Sequence, residues 1–255
     1  MAKTVAILNQ KGGVGKTTSA VNLAACVGAA GKRVLLCDID PQGNSTSGFG
    51  VDKRKTALSS YHVLVGECGA REALAHTEFK NVDLLPSTMD LAGAELEIID
   101  RQGRDRLLKN ALVPLWDDYD FIFLDCPPSL GLITLNALTA ADTFLVPIQC
   151  EYYALEGLSQ LMATVRQVKR LYNPYIELEG VLLTMYDSRL NLTQQVVAEV
   201  KKFFPKKVYA TVIPRNVRLS EAPSFGQPII YFDKSSKGAQ AYTALAEEFL
   251  AKNGA

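Results

Sequence analysis

Hydrophobic residues in this chain occur as short unbroken runs, separated by longer segments in which apolar positions recur every three or four residues. The runs predict buried β-strands, because strands that are covered on both faces lose the alternation of polar and apolar side chains. We predict strands over residues 5–8, 34–37, 82–87, 121–125, 144–148, 180–184 and 208–213. We predict helices over residues 17–30, 91–112, 130–141, 155–172, 192–203 and 238–251.

The alternation of strands with helices predicts an α/β fold. Because the runs lack polar alternation, we expect a mostly parallel sheet with helices on both faces. Residues 45–80 show a weaker pattern, interrupted by glycine and serine, which predicts short helices. Gly103 is a candidate break in the helix over 91–112. Since no linker or repeat divides the chain, we expect residues 1–255 to form a single domain.

The segment between the first strand and the first helix, NQKGGVGKTT at residues 9–18, predicts a phosphate-binding loop. Backbone N–H groups of such a loop and the N-terminus of the helix after it both attract an anion. Lys16 is the candidate contact to the β- and γ-phosphates of a nucleotide, and the Thr17 hydroxyl is a candidate ligand of Mg²⁺. Gln10 replaces the usual first glycine of the pattern, beside a second lysine, Lys11.

Carboxylates follow two of the predicted strands. Asp125 ends the strand FIFLD, and ligand sites of parallel sheets lie at the carboxyl ends of strands. We therefore expect Asp125 to reach Mg²⁺ directly or through water. Asp38 and Asp40 follow the second strand in the sequence DIDPQGN. We assign Asp38 to the magnesium shell and Asp40 to the attacking water; a plain turn formed by Asp40 and Pro41 is the alternative.

Composition and charge bound the function without deciding it. The chain is 48% hydrophobic and 21% charged, with a formal net charge of zero. Residues 160–237, however, hold twelve lysines and arginines against six aspartates and glutamates, an excess of six positive charges. Such a region favours a surface for a polyanion, although each basic residue alone is an ordinary solvated charge. Its basic residues include Arg166, Lys169, Arg170, Arg189, Lys201, Lys202, Lys206, Lys207, Arg215 and Arg218.

Cysteine and histidine usage argues against other chemistries. The five cysteines form no C-x-x-C pair and lie mostly in apolar runs, so we expect buried thiols rather than disulfides or a metal cluster. His62 and His76 lie far from the glycine loop, which argues against Cys/His or Ser/His catalysis. We expect no signal peptide, because the charged loop follows the first strand at once. We expect no membrane span, because no apolar run approaches about 18 residues.

Five segments carry a more specific resemblance. They are NQKGGVGKTT at 9–18, DIDPQGN at 38–44, DCPPSLG at 125–131, QCEYYALEG at 149–157 and VIPRNVRLSEAPS at 212–224. Together they resemble the ParA/Soj family of chromosome- and plasmid-partition ATPases, over essentially the whole chain. The resemblance implies a three-layer P-loop NTPase fold whose phosphate loop, KGGVGKT, is a deviant Walker-A motif.

The resemblance also implies a function. It implies an ATP hydrolase that depends on Mg²⁺, is slow without its partner, and forms a homodimer closed on two ATP molecules. The dimer would bind double-stranded DNA without sequence preference, in the cytoplasm and on the nucleoid. A ParB-type protein at a centromere-like site would stimulate hydrolysis and release the dimer. No membrane is among the implied partners.

Individual residues take roles from the same resemblance. From the residues alone, Lys11 can serve its own nucleotide or that of a second subunit; the resemblance implies the second role. It also implies that Gly12 lies at the dimer interface, that Asp40 supports hydrolysis and that Glu151 approaches the nucleotide or the interface. The implied nucleotide contacts are Lys11, Gly12, Gly13, Val14, Gly15, Lys16, Thr17 and Thr18, with Pro214 and Asn216 at the adenine. Arg189 and Arg218 match the DNA-contacting arginines.

Three alternatives stay open at this point. A MinD-type division-site ATPase shares the loop and its lysine, but its membrane anchor is a basic amphipathic C-terminal helix. Here the last residues, 244–255, hold two acids and one lysine, which favours a helix packed on the domain. A nitrogenase-reductase-like electron carrier would need cluster cysteines, for which only Cys126 and Cys150 are available. A nucleotide-gated scaffold without turnover is the third alternative, against which Asp40 argues.

Overall fold

The computed structural model of the chain describes residues 1–151 and 154–255. The strands found there are β1 (Lys3–Ile7), β2 (Val34–Asp38), β3 (Ala75–His76), β4 (Val82–Leu85), β5 (Phe121–Asp125), β6 (Thr143–Gln149) and β7 (Glu177–Thr184). The α-helices are α1 (Lys16–Ala29), α2 (Asn44–Gly48), α3 (Ser60–Leu64), α4 (Leu91–Ile98), α5 (Leu107–Leu112), α6 (Leu132–Ala140), α7 (Ala154–Leu171), α8 (Asn191–Phe203), α9 (Val217–Glu221), α10 (Ile229–Phe232) and α11 (Lys237–Lys252). Short 3₁₀ helices span Ala70–Ala73, Val113–Leu115 and Ala222–Phe225.

The strands form one sheet in the order β3-β4-β2-β5-β1-β6-β7. Every neighbouring pair is parallel except β3 and β4, which pair antiparallel at the edge. Since the parallel strands all point the same way, their carboxyl ends share one edge of the sheet. The loops that follow β1, β2 and β5 therefore meet there, which is where the sequence predicts the site.

Hydrophobic cores lie on both faces of this sheet. Val5 and Ile7 of β1 belong to one core and Ala6 to the other, as the alternation of side chains along a strand requires. Helices α1 and α11 cover the first core, and α6, α7 and α8 cover the second. The C-terminal helix α11 buries Tyr242 and Phe249 in this packing. The predicted α/β fold with a mostly parallel, doubly covered sheet is thereby confirmed.

Two predicted elements were wrong in detail. The helix predicted over 91–112 is two helices, α4 and α5, and the connection between them contains Gly103 with φ of 71°. Among the described residues, the strand predicted over 208–213 is replaced by two isolated bridges, Val208 to Val181 of β7 and, just after the segment, Pro214 to Tyr186. The amide groups of Ala210 and Thr211 instead donate to the Glu248 carboxylate of α11, each over 2.9 Å. These two N–H groups are therefore not available for hydrogen bonds to a neighbouring strand.

The remaining expectations about the chain have simple outcomes. All five cysteines are free thiols; four are buried and Cys68 is half-buried. None of the described helices combines the length and apolar content that a membrane crossing requires. Tyr152 and Tyr153, in the fourth of the five sequence segments, lie outside the described residues.

Candidate nucleotide-binding site

The loop between β1 and α1 has the backbone of an anion cradle. Gly13 and Gly15 have φ of 74° and 87°, in the left-handed region that glycine adopts without strain. Helix α1 begins at Lys16, with Gly15 as its N-cap residue and no described side chain capping it. The first N–H groups of α1 therefore point to the mouth of the loop, where they and the helix dipole favour a phosphate.

Polar side chains tie this loop to the strands on one side of β1. The Thr184 hydroxyl, at the end of β7, donates to the Val14 carbonyl oxygen over 2.8 Å. The Asn9 amide donates to the carbonyl oxygen of Pro147 in β6 over 2.8 Å and accepts from the Lys11 backbone N–H over 3.0 Å. These bonds hold the cradle open before any ligand arrives. Thr184 was missed in the sequence, because it lies 170 residues from its partner.

The two lysines of the loop are placed very differently. Lys16 is 7% exposed, and its Nζ donates to the Lys11 carbonyl oxygen over 3.2 Å. Burial lowers the pKa of Lys16, while the nearby Asp125 and Asp40 oppose that shift. The Lys11 side chain is 40% exposed, and its Nζ lies 2.5 Å from a Glu151 carboxylate oxygen. Lys16 thus faces into the cradle, whereas Lys11 faces outward at its rim.

Asp38 and Asp125 lie side by side at the carboxyl ends of β2 and β5, where they are register partners. Both are fully buried. The Thr46 N–H and hydroxyl each donate to Asp38 Oδ2 over 2.7 Å, and the Ser45 hydroxyl donates to Asp125 Oδ2 over 2.7 Å. The short helix α2 therefore fixes the orientation of both carboxylates through these hydrogen bonds. Sequence reasoning missed Ser45 and Thr46, because a five-residue helix has too little periodicity to be placed.

The electrostatics of this carboxylate pair favour a bound cation. Burial raises the pKa of Asp38 to about 6, and the charge of Asp40 adds to that shift. Burial also raises the pKa of Asp125 to about 7, and the charge of Asp38 adds to that shift. Asp125 Oδ1 is buried without a hydrogen-bond partner among the described groups. The Thr17 hydroxyl, at the start of α1, lies near enough to Asp125 to lower the pKa of that carboxyl, so the two groups share one spot. An unpartnered carboxylate oxygen beside a hydroxyl is a fitting ligand pair for Mg²⁺.

Mg²⁺ would nevertheless need ligands from a nucleotide. Among the described residues, no group of three or more His, Cys, Asp or Glu side chains converges as a ready-made metal cage. In proteins, Mg²⁺ is usually coordinated by one or two carboxylates together with phosphate oxygens and water. The predicted ligands Thr17 and Asp125 are together, and Asp38 adjoins them with both of its oxygens already hydrogen-bonded.

Asp40 lies on a tight turn just beyond β2. It is 7% exposed, and its Oδ1 accepts from the Gln42 backbone N–H over 3.0 Å. The Gly43 N–H closes the turn on the Asp40 carbonyl oxygen over 2.9 Å. The turn that was the structural alternative for Asp40 and Pro41 is therefore present. It directs the Asp40 carboxylate to the same edge of the sheet as Lys16. The charge of Asp40 acts to raise the pKa of Lys16.

A cleft of about 300 Å³ opens beside the phosphate loop. Gly15 and Thr18 form its near wall, and the predicted adenine residues Pro214 and Asn216 form part of its far wall. Asn216 Oδ1 is buried there with no described hydrogen-bond partner, so it is free to accept from a ligand. The structure also adds Met185 to the wall, in a left-handed conformation with φ of 49°. The sequence carried no signal for that residue.

Comparison with known proteins agrees with this geometry. A family model described as an AAA domain matches residues 2–178. The sporulation initiation inhibitor protein Soj of Bacillus subtilis is 56% identical over 254 residues, which cover 100% of both chains. The chromosome partitioning protein ParA of Myxococcus xanthus is 51% identical, over 99% of this chain and 89% of its own length. This chain belongs to the ParA/Soj family of partitioning ATPases.

The family assignment extends to solved structures. The cobyrinic acid a,c-diamide synthase of Mycobacterium smegmatis, solved with bound ADP and magnesium, is 40% identical to this ParA/Soj-family chain. The two agree with a TM-score of 0.86, over 100% of this chain and 97% of the other. The resemblance in the five sequence segments and the P-loop fold that it implied are both confirmed.

The predicted DNA-contacting arginines of this ParA/Soj-family chain lie on neighbouring segments, a loop and a short helix. Arg189 lies in the loop that follows β7, and Arg218 is the second residue of α9. The segments before them are joined where the Tyr186 N–H donates to the Ile213 carbonyl oxygen over 2.9 Å. Each arginine is ion-paired within the chain. Arg189 is 85% exposed and makes two bonds to Asp187, of 2.7 and 2.9 Å. These bonds lower the pKa of Asp187 to about 2.

Arg218 is paired in the same manner. Its Nη1 lies 2.8 Å from a Glu221 carboxylate oxygen and its Nε 3.4 Å from Asp233. Both arginines lie near the carboxyl edge of the sheet, the edge that also carries the phosphate loop. The structure thus brings the predicted nucleotide contacts together in one site, and it places Arg189 in the loop after β7 and Arg218 in the neighbouring helix α9.

Proposed function

We propose that this chain is the ATPase of a DNA-partition system. It binds ATP with Mg²⁺, closes into a homodimer over two nucleotides, and in that state binds double-stranded DNA without sequence preference. Hydrolysis, stimulated by a ParB-type centromere-binding protein, resets the dimer in the cytoplasm. The observation that carries the proposal is the division between the two loop lysines: Lys16 is buried in the cradle, and Lys11 is exposed at its rim.

The nucleotide part of the proposal follows from the site. Lys16 and the N–H groups at the start of α1 hold the β- and γ-phosphates, and the cleft at Pro214 and Asn216 takes the nucleoside. The ADP and magnesium bound by the Mycobacterium smegmatis relative support the same ligands here. Thr17 and Asp125 would hold Mg²⁺, which would supply positive charge beside the phosphates. Asp40 orients the attacking water.

The dimer part rests on the outer surface of the loop. Lys11 has its ammonium group on an exposed carboxylate, a pairing that contributes little in water and is easily exchanged. A nucleotide presented by a second subunit offers more negative charge to the same lysine. Gly12 beside it has a φ outside the left-handed region, and a Cβ there would meet no atom within 4 Å. Nothing within the described residues of the chain requires glycine at this position, so a closely approaching partner would account for it.

Gly12→Val is expected to abolish the ATP dimer while the monomer still binds ATP within about threefold of the natural chain. Valine fits the monomer, because the position is open, but its side chain occupies the surface on which a second loop would close. Light scattering with ATP, beside a fluorescent-nucleotide titration, checks both halves of the expectation. A valine variant that still doubles its mass in ATP would contradict the interface assignment.

The DNA part rests on Arg189, in the loop after β7, and on Arg218, in the neighbouring helix α9. A guanidinium group suits phosphate oxygens, and contacts to phosphates alone give binding without sequence preference. Arg189 and Arg218 are exposed, so DNA can reach them. Dimerisation would place two copies of this surface on one particle and raise its affinity through valency. ATP binding would thereby be linked to DNA binding.

Arg189→Ala combined with Arg218→Ala is expected to weaken DNA binding about tenfold or more without changing the ATP dimer, since phosphate contacts are lost on both subunits. Retardation of plasmid DNA with ATP measures the first property, and light scattering the second. The matched control is Arg33→Ala with Arg71→Ala, which removes two exposed arginines paired with Asp120 and Asp118 at the opposite edge of the sheet. Equal loss in both double variants would assign DNA binding to net charge instead.

One experiment tests the proposal as a whole. DNA binding is measured with ADP, with ATP and with a slowly hydrolysed analogue, across a salt series. We expect binding with ATP and the analogue only, and a decline with salt that reports phosphate contacts. Flotation with liposomes and ATP serves as the opposing arm: strong membrane binding without DNA binding would favour the MinD-type alternative.

A further inference from the structure

The turn that carries Asp40 is held from outside by a lysine that the nucleotide site does not otherwise use. Lys53 Nζ donates a hydrogen bond of 2.7 Å to the Gln42 carbonyl oxygen. The stem of Lys53 lies against Gly43, where a Cβ would be 2.5 Å from Lys53 Cδ and 2.7 Å from the Ser87 carbonyl oxygen. Gly43 therefore leaves the room that the lysine needs to cross the turn.

Gln42 connects Lys53 to Asp40 through its own backbone. Its N–H donates to Asp40 Oδ1 over 3.0 Å, while its carbonyl oxygen accepts from Lys53. Both polar groups of one residue are thus fixed, one by the carboxylate and one by the ammonium group. If the ammonium group were removed, the Gln42 backbone would gain freedom, and the N–H that aims the Asp40 carboxylate would move with it.

The loop that presents Lys53 is itself anchored. The Asp52 carboxylate accepts from the Arg54 N–H and the Asp52 carbonyl oxygen from the Lys55 N–H, each over 3.0 Å. Just before the loop, Gly50 touches Gly226, where a Cβ would lie 2.6 Å from Gly50 Cα. Gly226 follows the 3₁₀ helix Ala222–Phe225, whose Pro223 lines the nucleoside cleft. The loop that carries Lys53 is therefore preceded by a backbone contact, Gly50 to Gly226, next to the wall of the nucleoside cleft.

We propose that Lys53 is a positioning residue for hydrolysis, which holds the Asp40 turn in its active orientation without touching the nucleotide. The proposal rests on the hydrolytic role of Asp40 given above. Under this proposal ATP is held by residues 11–18 and by the nucleoside cleft. The described hydrogen bond of Lys53 goes to Gln42, which belongs to neither, so Lys53 would affect turnover and not ATP binding. Loss of Lys53 should therefore lower kcat and leave KM nearly unchanged.

Lys53→Met tests this role, since it keeps the stem and removes the donor. We expect kcat for phosphate release to fall about tenfold or more, because small displacements of a catalytic group are costly, with KM within about twofold. Lys53→Arg should recover most of the rate, as a guanidinium group can donate to the same carbonyl oxygen. Lys55→Met is the matched control: Lys55 is 85% exposed in the same loop, 3.8 Å from Asp52, and its loss should change neither constant.

The outcomes separate this proposal from the one on which it rests. If the natural chain hydrolyses ATP, Asp40→Ala does not, and Lys53→Met turns over at the natural rate, the positioning role is wrong. A rise in KM at constant kcat would make Lys53 a nucleotide contact, which also overturns it. Failure of the natural chain to hydrolyse ATP, or full activity of Asp40→Ala, would instead refute the proposed function. Should Lys53→Met melt below the assay temperature, Lys53→Leu, which also removes the donor, replaces it with the same expectations.

Discussion

Replacing Lys16 by alanine is expected to abolish ATP binding and leave the fold intact. Lys16 brings the only ammonium group that the structure buries within the described part of the phosphate loop, and it starts α1. Hydrogen bonds between charged groups contribute about 1.5–3 kcal/mol each, so losing contacts to two phosphates should weaken binding about 100-fold or more. Titration with a fluorescent ATP analogue in the presence of Mg²⁺ measures the loss.

The fold should survive this change, because the side chain is held by one hydrogen bond, to the Lys11 carbonyl oxygen. Burial already disfavours its charge, so the nucleotide-free variant should melt no lower than the natural chain. Lys11→Ala is the matched control on the same loop, and it should still bind ATP as a monomer. ATP affinity near the natural value in Lys16→Ala would contradict the assignment of the phosphate loop.

Replacing Asp40 by alanine should stop hydrolysis and preserve ATP binding. A group that orients or activates the attacking water typically contributes about 100-fold or more to the rate. The phosphates are held elsewhere, by Lys16 and the start of α1, so the ATP dimer should form and stay on DNA longer than the natural dimer. Phosphate release and the lifetime of the DNA complex after dilution into ADP are the two measurements.

Asp100→Ala, which removes an exposed aspartate from the connection between α4 and α5, is the control for this change and should behave as the natural chain does. A monomer of Asp40→Ala in ATP would count against the assigned role, because the carboxylate would then be needed for assembly. Unchanged hydrolysis would return Asp40 to the plain turn that the sequence left as its alternative.

The main features of the site could be predicted because they are local. A strand, a glycine loop and a helix follow one another within residues 3–29, and Asp38 and Asp125 stand at the ends of apolar runs. A parallel sheet then brings those ends to one edge whatever the order of the strands. Neither the register of Asp38 beside Asp125 nor the strand order follows from such runs, since both depend on contacts across the chain.

What sequence reasoning missed depends on contacts between distant residues. Thr184 holds Val14, and Lys53 holds the Asp40 turn, through side chains that look like ordinary surface or strand residues in the sequence. The predicted strand over 208–213 failed for the same reason, since its amide groups bond to Glu248, nearly forty residues later. Hydrophobic patterns report burial, and these bonds are made by polar groups whose partners the pattern does not reveal.

The pairing of Asp38 with Asp125 restricts how the gene can vary in length. Strands β2 and β5 have five residues each and run in register from Val34 beside Phe121 to the two carboxylates. Because side chains alternate between the faces of a sheet, inserting or deleting one codon within either strand would shift its aspartate out of line with the other and turn it to the opposite face. Loops at the far edge of the sheet are free of this restriction. Insertions should accumulate there and be absent from these ten residues.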